Sequence, residues 1–285
     1  MESKKSILIT GASSGIGKET ALYLDEQGFK VFAGVRTVKD MEIMKQEGSE
    51  RLVPVILDVT KEETIHNTLN IILKDKEYFF LGLVNNAGIG MRSVLEIIPK
   101  HEFQKVFEVN VIGLHSVTRI FLPLIRKNKG RIVNVGSEAG FMAWGGGGAY
   151  SASKFAVRGL TDSLRLEMIP FGVHVSYVAP TSTQSKIWVK NQEDARLREG
   201  ISAEVRKGYN YFFKAQDRAD PENMNVLPAI EVAKDIADAL TVSNPRYEYY
   251  SGEKSEESYK MSLLPKDITI KSSMKKLAEF IKLYG

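Results

Sequence analysis

Short apolar, β-branched runs recur along the chain at Ser6–Thr10, Lys30–Val35, Leu52–Val59, Phe80–Val84, Arg131–Val135 and His174–Val178. Between them lie longer stretches with helical spacing of apolar residues, near Ile16–Gln27, Glu62–Lys74, Glu102–Lys127, Tyr150–Met168 and Ile230–Leu240. Strands alternating with helices predict βαβ units and a parallel sheet. Most of the strand runs are apolar throughout, as when helices cover both faces of a sheet. The predicted fold class is therefore α/β, a doubly wound parallel sheet forming a single domain over residues 1–285.

After Pro180 the rhythm breaks. The polar, charged stretch of about 181–225 reads as a lid-like insertion over a site rather than a second domain. A last strand is predicted at Arg246–Tyr250, after Pro245. In the tail, about 263–285, the apolar residues Ile268, Ile270, Met274, Leu277 and Ile281 predict an amphipathic helix packed on the body or on another subunit. A membrane-surface helix, which the tail's lysines would suit, is the less favoured alternative.

Composition narrows the chemistry. The chain has 285 residues and no cysteine, which excludes disulfides, thiolate nucleophiles, zinc ribbons and iron–sulfur clusters. Its 39 Lys and Arg against 35 Asp and Glu leave a net charge of +4, too thin and diffuse to indicate a nucleic-acid partner. His66, His101, His115 and His174 are scattered, and no His or carboxylate group stands at ligand spacing, so no metal is expected. The amino terminus has no signal-peptide core, and no apolar run approaches the ~20 residues a membrane span requires. The expected location is cytoplasmic.

The first strand runs into Thr10-Gly11-Ala12-Ser13-Ser14-Gly15-Ile16-Gly17 and then a helix. A strand, a glycine loop and a helix start place a pyrophosphate against free backbone N–H groups and the positive helix end. Gly11, Ser13, Ser14, Gly15, Ile16 and Gly17 are thus candidate dinucleotide contacts, and the doubly wound sheet is Rossmann-like. The spacing G-x-x-x-G-x-G differs from the G-x-G-x-x-G of the standard fingerprint, and alone such a loop would serve equally as a sharp turn. The second strand ends Val35-Arg36, with Val35 where an NAD-preferring enzyme carries an acid for the ribose. A guanidinium grips a 2′-phosphate that a carboxylate would repel. Arg36 therefore predicts NADP(H) as cofactor rather than NAD(H), with Lys18 a weaker second candidate. Asp58 and Val59 end the third strand, and Asn86-Ala87-Gly88 follow the fourth, where ligands of open α/β sheets bind. Asp58 is a candidate partner for the adenine amino group, and Asn86, Ala87 and Gly88 allow close approach of the cofactor.

The segment with the most specific chemistry is Gly136-Ser137 after the fifth strand, followed by Tyr150-Ser151-Ala152-Ser153-Lys154 at a helix start. Tyr150 and Lys154 stand at i and i+4 and share one helical face. An ammonium beside a phenol favours phenolate and lowers a pKa that begins near ~10, while Ser137 is placed to hydrogen-bond a substrate oxygen. Proton exchange with a carbonyl oxygen as hydride arrives at its carbon needs such an arrangement. A capped helix start with a packing tyrosine is the bland alternative for an isolated Tyr-x-x-x-Lys.

Together these residues resemble the short-chain dehydrogenase/reductase family, in order from Ser6 to about Ser185. Thr10 to Gly17 matches its T-G-x-x-x-G-x-G loop, Asn85 to Gly88 its N-N-A-G motif, and Ser137, Tyr150 and Lys154 its catalytic trio. Asn110, in Val109-Asn110-Val111, matches the fourth catalytic residue, which holds a water in a proton relay through the lysine. The resemblance implies that Tyr150 is the general acid/base, that Lys154 binds the nicotinamide ribose and depresses the tyrosine pKa, and that Ser137 orients the substrate. It also implies a homodimer or homotetramer formed through the long helices. After the sixth strand the family usually has Pro-Gly and a Thr four residues on; here Pro180 is followed by Thr181, and Ser185 takes the threonine's place as a hydroxyl to the carboxamide or pyrophosphate. Arg36, the length and Leu263-Leu264-Pro265-Lys266 resemble the retinol and hydroxysteroid dehydrogenases within the family.

The expected substrate is a lipophilic alcohol, or its ketone or aldehyde, such as a steroid, retinoid or acyl chain. Its wall is expected from Ile89, Met91, Glu138, Phe141, Met142 and Trp144 with Ile187 and Trp188 of the insertion, although core packing is open for the same residues. Gly145 to Gly148 leaves little side-chain bulk beside the site. The competing readings are a non-catalytic NADP(H)-binding sensor or scaffold, against which the retained trio speaks, and a reductase of carbon–carbon double bonds, against which Ser137 speaks.

Overall fold

The computed structural model describes residues 4–183, 196–218, 226–272 and 274–275. Its strands are β1 (Lys5–Ile9), β2 (Lys30–Val35), β3 (Leu52–Ile56), β4 (Phe79–Asn85), β5 (Arg131–Val135), β6 (His174–Pro180) and β7 (Glu248–Ser251). They form a seven-stranded sheet in the order β3-β2-β1-β4-β5-β6-β7, every neighbouring pair parallel. Parallel pairing requires a crossover after each strand, and right-handed crossovers to either side of β1 carry the helices onto both faces. The direction of winding reverses between β1 and β4, which opens a crevice at the carboxyl ends of those strands.

The helices that fill the two faces are those with apolar spacing. On one side α1 (Gly15–Glu26) packs against the late helix Ala229–Thr241, and Ala21, Leu24, Val232, Ile236 and Leu240 share a core with Ile7, Ile9 and Val31. On the other, α3 (Glu62–Lys74) and the helix Leu114–Lys127 bury Ile65, Ile72, Val117, Phe121 and Ile125 against Leu8, Phe32 and Leu83. Each such side chain contributes about 1.5–3 kcal/mol by leaving water.

Three elements differ from the sequence expectation. The helix α2 (Val38–Glu47) was not predicted because only Met44 of its ten residues is buried, so it has no apolar period. Its local signal is the cap: Thr37 Oγ1 accepts from Asp40 N at 3.1 Å. The expected helix Glu102–Lys127 is α4 (Lys100–Phe107), a π-helical segment (Glu108–Gly113) and α5 (Leu114–Lys127) in one continuous run. That run is long and apolar enough to cross a membrane by length and composition, which no unbroken apolar stretch had indicated; Leu114, Val117, Phe121 and Ile125 bury its apolar stripe in the protein. The insertion contains α7 (Ala203–Gly208) and α8 (Asn210–Arg218), between α6 (Gly148–Met168) and α9 (Ala229–Thr241).

The tail departs further. Ahead of it the polar α10 (Glu253–Ser262) attaches through Ser255, whose hydroxyl donates to Ala179 O at 2.6 Å. Beyond it Ile268, Ile270 and Met274 are exposed and Thr269 is buried, so the described part of the expected apolar face does not pack on the body. Leu277 and Ile281 lie outside the described residues.

Candidate active site

A cavity of about 720 Å³ opens at the carboxyl edge of the sheet, around the reversal point. Gly11, Ser13, Ser14, Ile16, Arg36, Asp58, Val59, Asn86, Ala87, Gly88, Ser137, Tyr150, Lys154 and Pro180 all line it. Gly15 starts α1 beside them, Gly17 and Asn110 are buried behind the wall, and Ser185 lies outside the described residues. Residues separated by up to 169 positions, Gly11 to Pro180, thus converge because parallel strands deliver all their carboxyl ends to one edge.

The glycine loop is built for close backbone approach. Gly11 has φ +68°, and a Cβ there would meet Ala87 Cα at 2.8 Å. At Gly17 a Cβ would lie 2.3 Å from both Asn86 Nδ2 and Gly11 O. Asn86 staples the loop, its Nδ2 donating to Thr10 O at 2.9 Å and Gly11 O at 3.0 Å. Thr10 Oγ1 returns the contact by accepting from Asn86 N and Ala87 N, both at 3.0 Å. The start of α1 has neither a side-chain cap nor an acidic residue in its first turn, which leaves its N–H groups and positive dipole end for an anion. These features fit a dinucleotide pyrophosphate.

At the β2 end Val35 is buried and Arg36 exposed on the cavity wall, with no hydrogen bond or ion pair holding the guanidinium among the described residues. Lys18, the second phosphate candidate, has its ammonium paired with Glu47 of α2 at 2.7 Å. Asp58 accepts from Thr60 N at 3.0 Å and Thr60 Oγ1 at 2.7 Å, so one carboxylate oxygen serves the loop.

The trio stands at the other end. Ser137 stands two residues beyond β5, and its Oγ accepts from Ala139 N at 3.1 Å, which turns the hydroxyl proton toward other partners. The Ser137 peptide is clasped by a residue the sequence reading passed over. Tyr177, fully buried on β6, accepts from Ser137 N and donates to Ser137 O, each at 3.2 Å. Lys154 Nζ donates to Val135 O at 3.0 Å and lies 5.7 Å from the Tyr150 ring centre. Burial pushes the Lys154 ammonium down to about 8. Burial likewise pushes the Tyr150 phenol up to about 12; the Glu138 charge adds to this, while the Ser137 hydrogen bond and Arg92 oppose it. Burial therefore dominates at the phenol, which stays protonated at neutral pH, and the expected lowering by Lys154 is not among the influences on it.

Asn110 occupies the π-helical segment, where the wider turn swings its side chain toward β4. Its Nδ2 donates to Ile89 O and Ser153 Oγ, both at 3.0 Å, and its Oδ1 accepts from Ile89 N at 2.8 Å. Both amide protons are thus committed to fixing the loop after β4 and the second turn of α6. Beneath the site, Asn85 Nδ2 donates to Thr118 Oγ1 and Asn134 Oδ1, and Asn134 Nδ2 donates to Thr161 Oγ1, all at 2.9 Å. This buried polar chain ties β4 and β5 to α5 and α6.

Of the expected substrate wall, Ile89, Glu138 and Trp144 line the cavity, joined by Arg92 and by Phe212 of α8. Met91 and Phe141 are core residues, Met91 with Val106 and Ala149, and Phe141 with Tyr177; Met142 does not line it, and Ile187 and Trp188 are outside the described residues. The glycines of 145–148 do not leave open space: a Cβ at Gly145 would meet the Phe212 ring at 2.5 Å, and one at Gly147 the Trp144 indole at 2.3 Å. Among the described residues no His, Asp or Glu cluster suited to a metal occurs.

Comparison with known proteins agrees with this geometry. Residues 5–196 match the family model described as short chain dehydrogenase. The chain is 36% identical over 260 residues to human dehydrogenase/reductase SDR family member 9, covering 87% of this chain and 80% of that protein. It is 35% identical over 267 residues to retinol dehydrogenase 5 of Mus musculus, covering 86% and 80%. A solved short-chain dehydrogenase from Streptomyces avermitilis superposes with a TM-score of 0.77 at 24% identity, covering 99% of this chain and 98% of that one. With its ordered motifs gathered on one cavity and the model matched along most of its length, the chain belongs to the short-chain dehydrogenase family of oxidoreductases.

Proposed function

We propose that this protein interconverts an alcohol and its ketone or aldehyde with NADP(H), and that it runs more readily as a carbonyl reductase. The observation that carries the reading is the grouping of Ser137, Tyr150 and Lys154 on one cavity with the glycine loop. When bound, the nicotinamide dinucleotide supplies or takes the hydride. In reduction, the Ser137 hydroxyl and the Tyr150 phenol hold the carbonyl oxygen, and the phenol gives that oxygen its proton. Lys154 holds a ribose and keeps positive charge near the phenolate that forms. Gly11 to Gly17 receive the pyrophosphate, Asp58 and Val59 the adenine, Asn86, Ala87 and Gly88 the adjoining ribose, and Pro180 the nicotinamide edge. Ile89, Trp144 and Phe212 suit an apolar substrate body. A screen of steroids, retinoids, keto-acyl esters and small sugars for NADPH oxidation tests the reading, and failure of every carbonyl to be reduced would reject it.

Arg36 supports the choice of NADP(H) because it is the cation that the cavity offers at the β2 end, with Val35 where an acid would exclude a phosphate. Arg36→Asp is expected to worsen KM for NADPH relative to NADH by about tenfold to a hundredfold, the range of a charge-assisted hydrogen bond. An unchanged ratio of the two KM values would remove the preference.

The two shifted groups also set a pH dependence. Reduction needs the phenol proton, retained to about 12, and the Lys154 ammonium, retained to about 8. The lower value decides, so kcat/KM for reduction is expected to be level below pH 8 and to decline above it. A profile flat to pH 10 would show that no required ammonium titrates near 8.

A further inference from the structure

Thr181, standing where the family pattern has glycine, carries a side chain with a specific partner. Its Oγ1 donates to Glu138 Oε1 at 3.2 Å, while its backbone N–H donates to Ser251 O at 3.0 Å. Gly252 makes room for it: φ is +93° there, and a Cβ would meet Thr181 Cγ2 at 2.7 Å. A second hydroxyl reaches the same carboxyl from α10, with Ser258 Oγ donating to Glu138 Oε2 at 3.4 Å. Two elements distant in sequence thus fix the carboxyl of the residue that follows Ser137.

Glu138 lines the cavity that holds Tyr150 and Lys154. Of the carboxyl groups on that wall among the described residues, Asp40 and Asp58 belong to the β2 and β3 ends, and Glu138 alone stands beside the trio. No cation lies within ion-pair distance of it among the described residues; Lys254 acts on it only through its field. Burial accordingly pushes its carboxyl above the usual range. A carboxylate has about four acceptor sites, of which two hydroxyl donors fill about half. Half-buried and facing the cavity, the carboxyl keeps the other half of its acceptor capacity for a donor seated there.

We propose that Glu138 determines substrate specificity by accepting a hydrogen bond from an amino or hydroxyl group carried near the reacting carbon, with Thr181 and Ser258 as its positioning residues. The preferred substrates are then amino- or hydroxy-substituted alcohols and their carbonyls, with an apolar body along Ile89, Trp144 and Phe212. The proposal rests on the alcohol–carbonyl reading above. It also removes a conflict within the site, because the Glu138 charge opposes loss of the Tyr150 proton, and a donor seated on the carboxyl offsets that charge.

The test is calorimetric titration of the full chain, saturated with NADP+, with three ligands of one chain length: a vicinal amino alcohol, the vicinal diol and the plain secondary alcohol. The first two are expected to bind at least about tenfold more tightly than the third. Glu138→Gln should abolish most of the amino alcohol's advantage, Glu138→Leu that of both substituted ligands, and Thr181→Val should give an intermediate loss. Thermal unfolding of each variant with and without NADP+ reports whether it is folded. Equal binding of the three ligands by the unmodified protein, binding of none, or an advantage that survives Glu138→Leu would each overturn the proposal. Oxidation of NADPH with the three corresponding ketones is followed in parallel. Selective binding without NADPH oxidation would uphold Glu138 and reject the alcohol–carbonyl reading, whereas NADPH oxidation without selectivity would do the reverse.

Discussion

Tyr150→Phe is expected to lower carbonyl reduction by about a thousandfold or more while leaving NADPH binding nearly intact, near the upper end of what a positioned acid contributes. The ring is 5% exposed and packs beside Trp144, with ring centres 6.2 Å apart, so Phe fills the same space and only the oxygen is lost. Among the described residues on the cavity, that oxygen combines an available proton at neutral pH with a hydrogen bond to Ser137. Lys154 does not substitute for it, since its ammonium is directed to Val135 O. The change leaves the Ser137 hydroxyl short of one partner, a stability cost of about 1 kcal/mol. Rates of NADPH oxidation with the best carbonyl of the screen, beside NADPH titrations, separate chemistry from binding. Retention of the full rate by the purified variant would refute the acid role.

The largest expected effect on stability comes from Gly136→Ala, one residue before the trio's serine. A Cβ at this position would lie 1.9 Å from Tyr177 Cζ and 2.1 Å from its hydroxyl oxygen, far inside contact distance. The ring has little room to retreat: the Gly140 backbone is close enough that a Cβ added there would lie 2.3 Å from the same oxygen, and Phe141 packs edge-on with ring centres 5.8 Å apart. Overpacking of this kind costs about 3 kcal/mol or more, which predicts a fall in Tm of about 10 °C for a chain of this size. Activity falls as well, since relief requires displacing either β5 or the clasp on Ser137. Adding Tyr177→Leu should restore much of the lost Tm by vacating the space, a non-additive result expected only of residues in contact. Equal Tm for the single variant and the unmodified protein would show that the backbone yields where the packing says it cannot.

Much of the site was readable before its shape. Gly11 to Gly17, Asn86 to Gly88, Ser137, Tyr150 and Lys154 are dictated by local demands: a backbone without Cβ, a helix start, an i,i+4 pair. Such demands leave marks at fixed spacing. The expected strands also appear in the sheet within about two residues at most ends, since their apolar runs are covered on both faces. What escaped depends on contacts across the chain. Tyr177 reads as one more apolar residue of a strand, and its clasp on Ser137 exists only because β5 and β6 are paired in register, Asn134 beside Tyr177. Met91 and Phe141 look like pocket residues for the opposite reason: proximity in sequence to catalytic positions says nothing about which way a side chain turns. The polar helices α2 and α10 were lost because each buries a single residue, Met44 and Ser255. The tail's apolar spacing suited packing on the body or on another subunit, and its described part does not make the first.

The π-helical segment Glu108–Gly113 constrains how this chain can change in length. A wider turn holds one residue more than an α-turn, so removing one residue anywhere from Lys100 to Gly113 would let the whole run relax into a regular helix. Relaxation after a deletion ahead of Val106 would leave the residues before the gap in phase with α5 but turn those between the gap and α5 by about 100° around the axis, taking Val106 out of its cluster with Met91 and Ala149, and Asn110 away from Ile89 and Ser153. A helix usually absorbs a lost residue at its frayed ends, but this one is pinned from the middle. Insertions and deletions are therefore expected to accumulate in the connections around the cavity mouth, where new specificities arise, and to be purged from this helix even when they preserve its helicity.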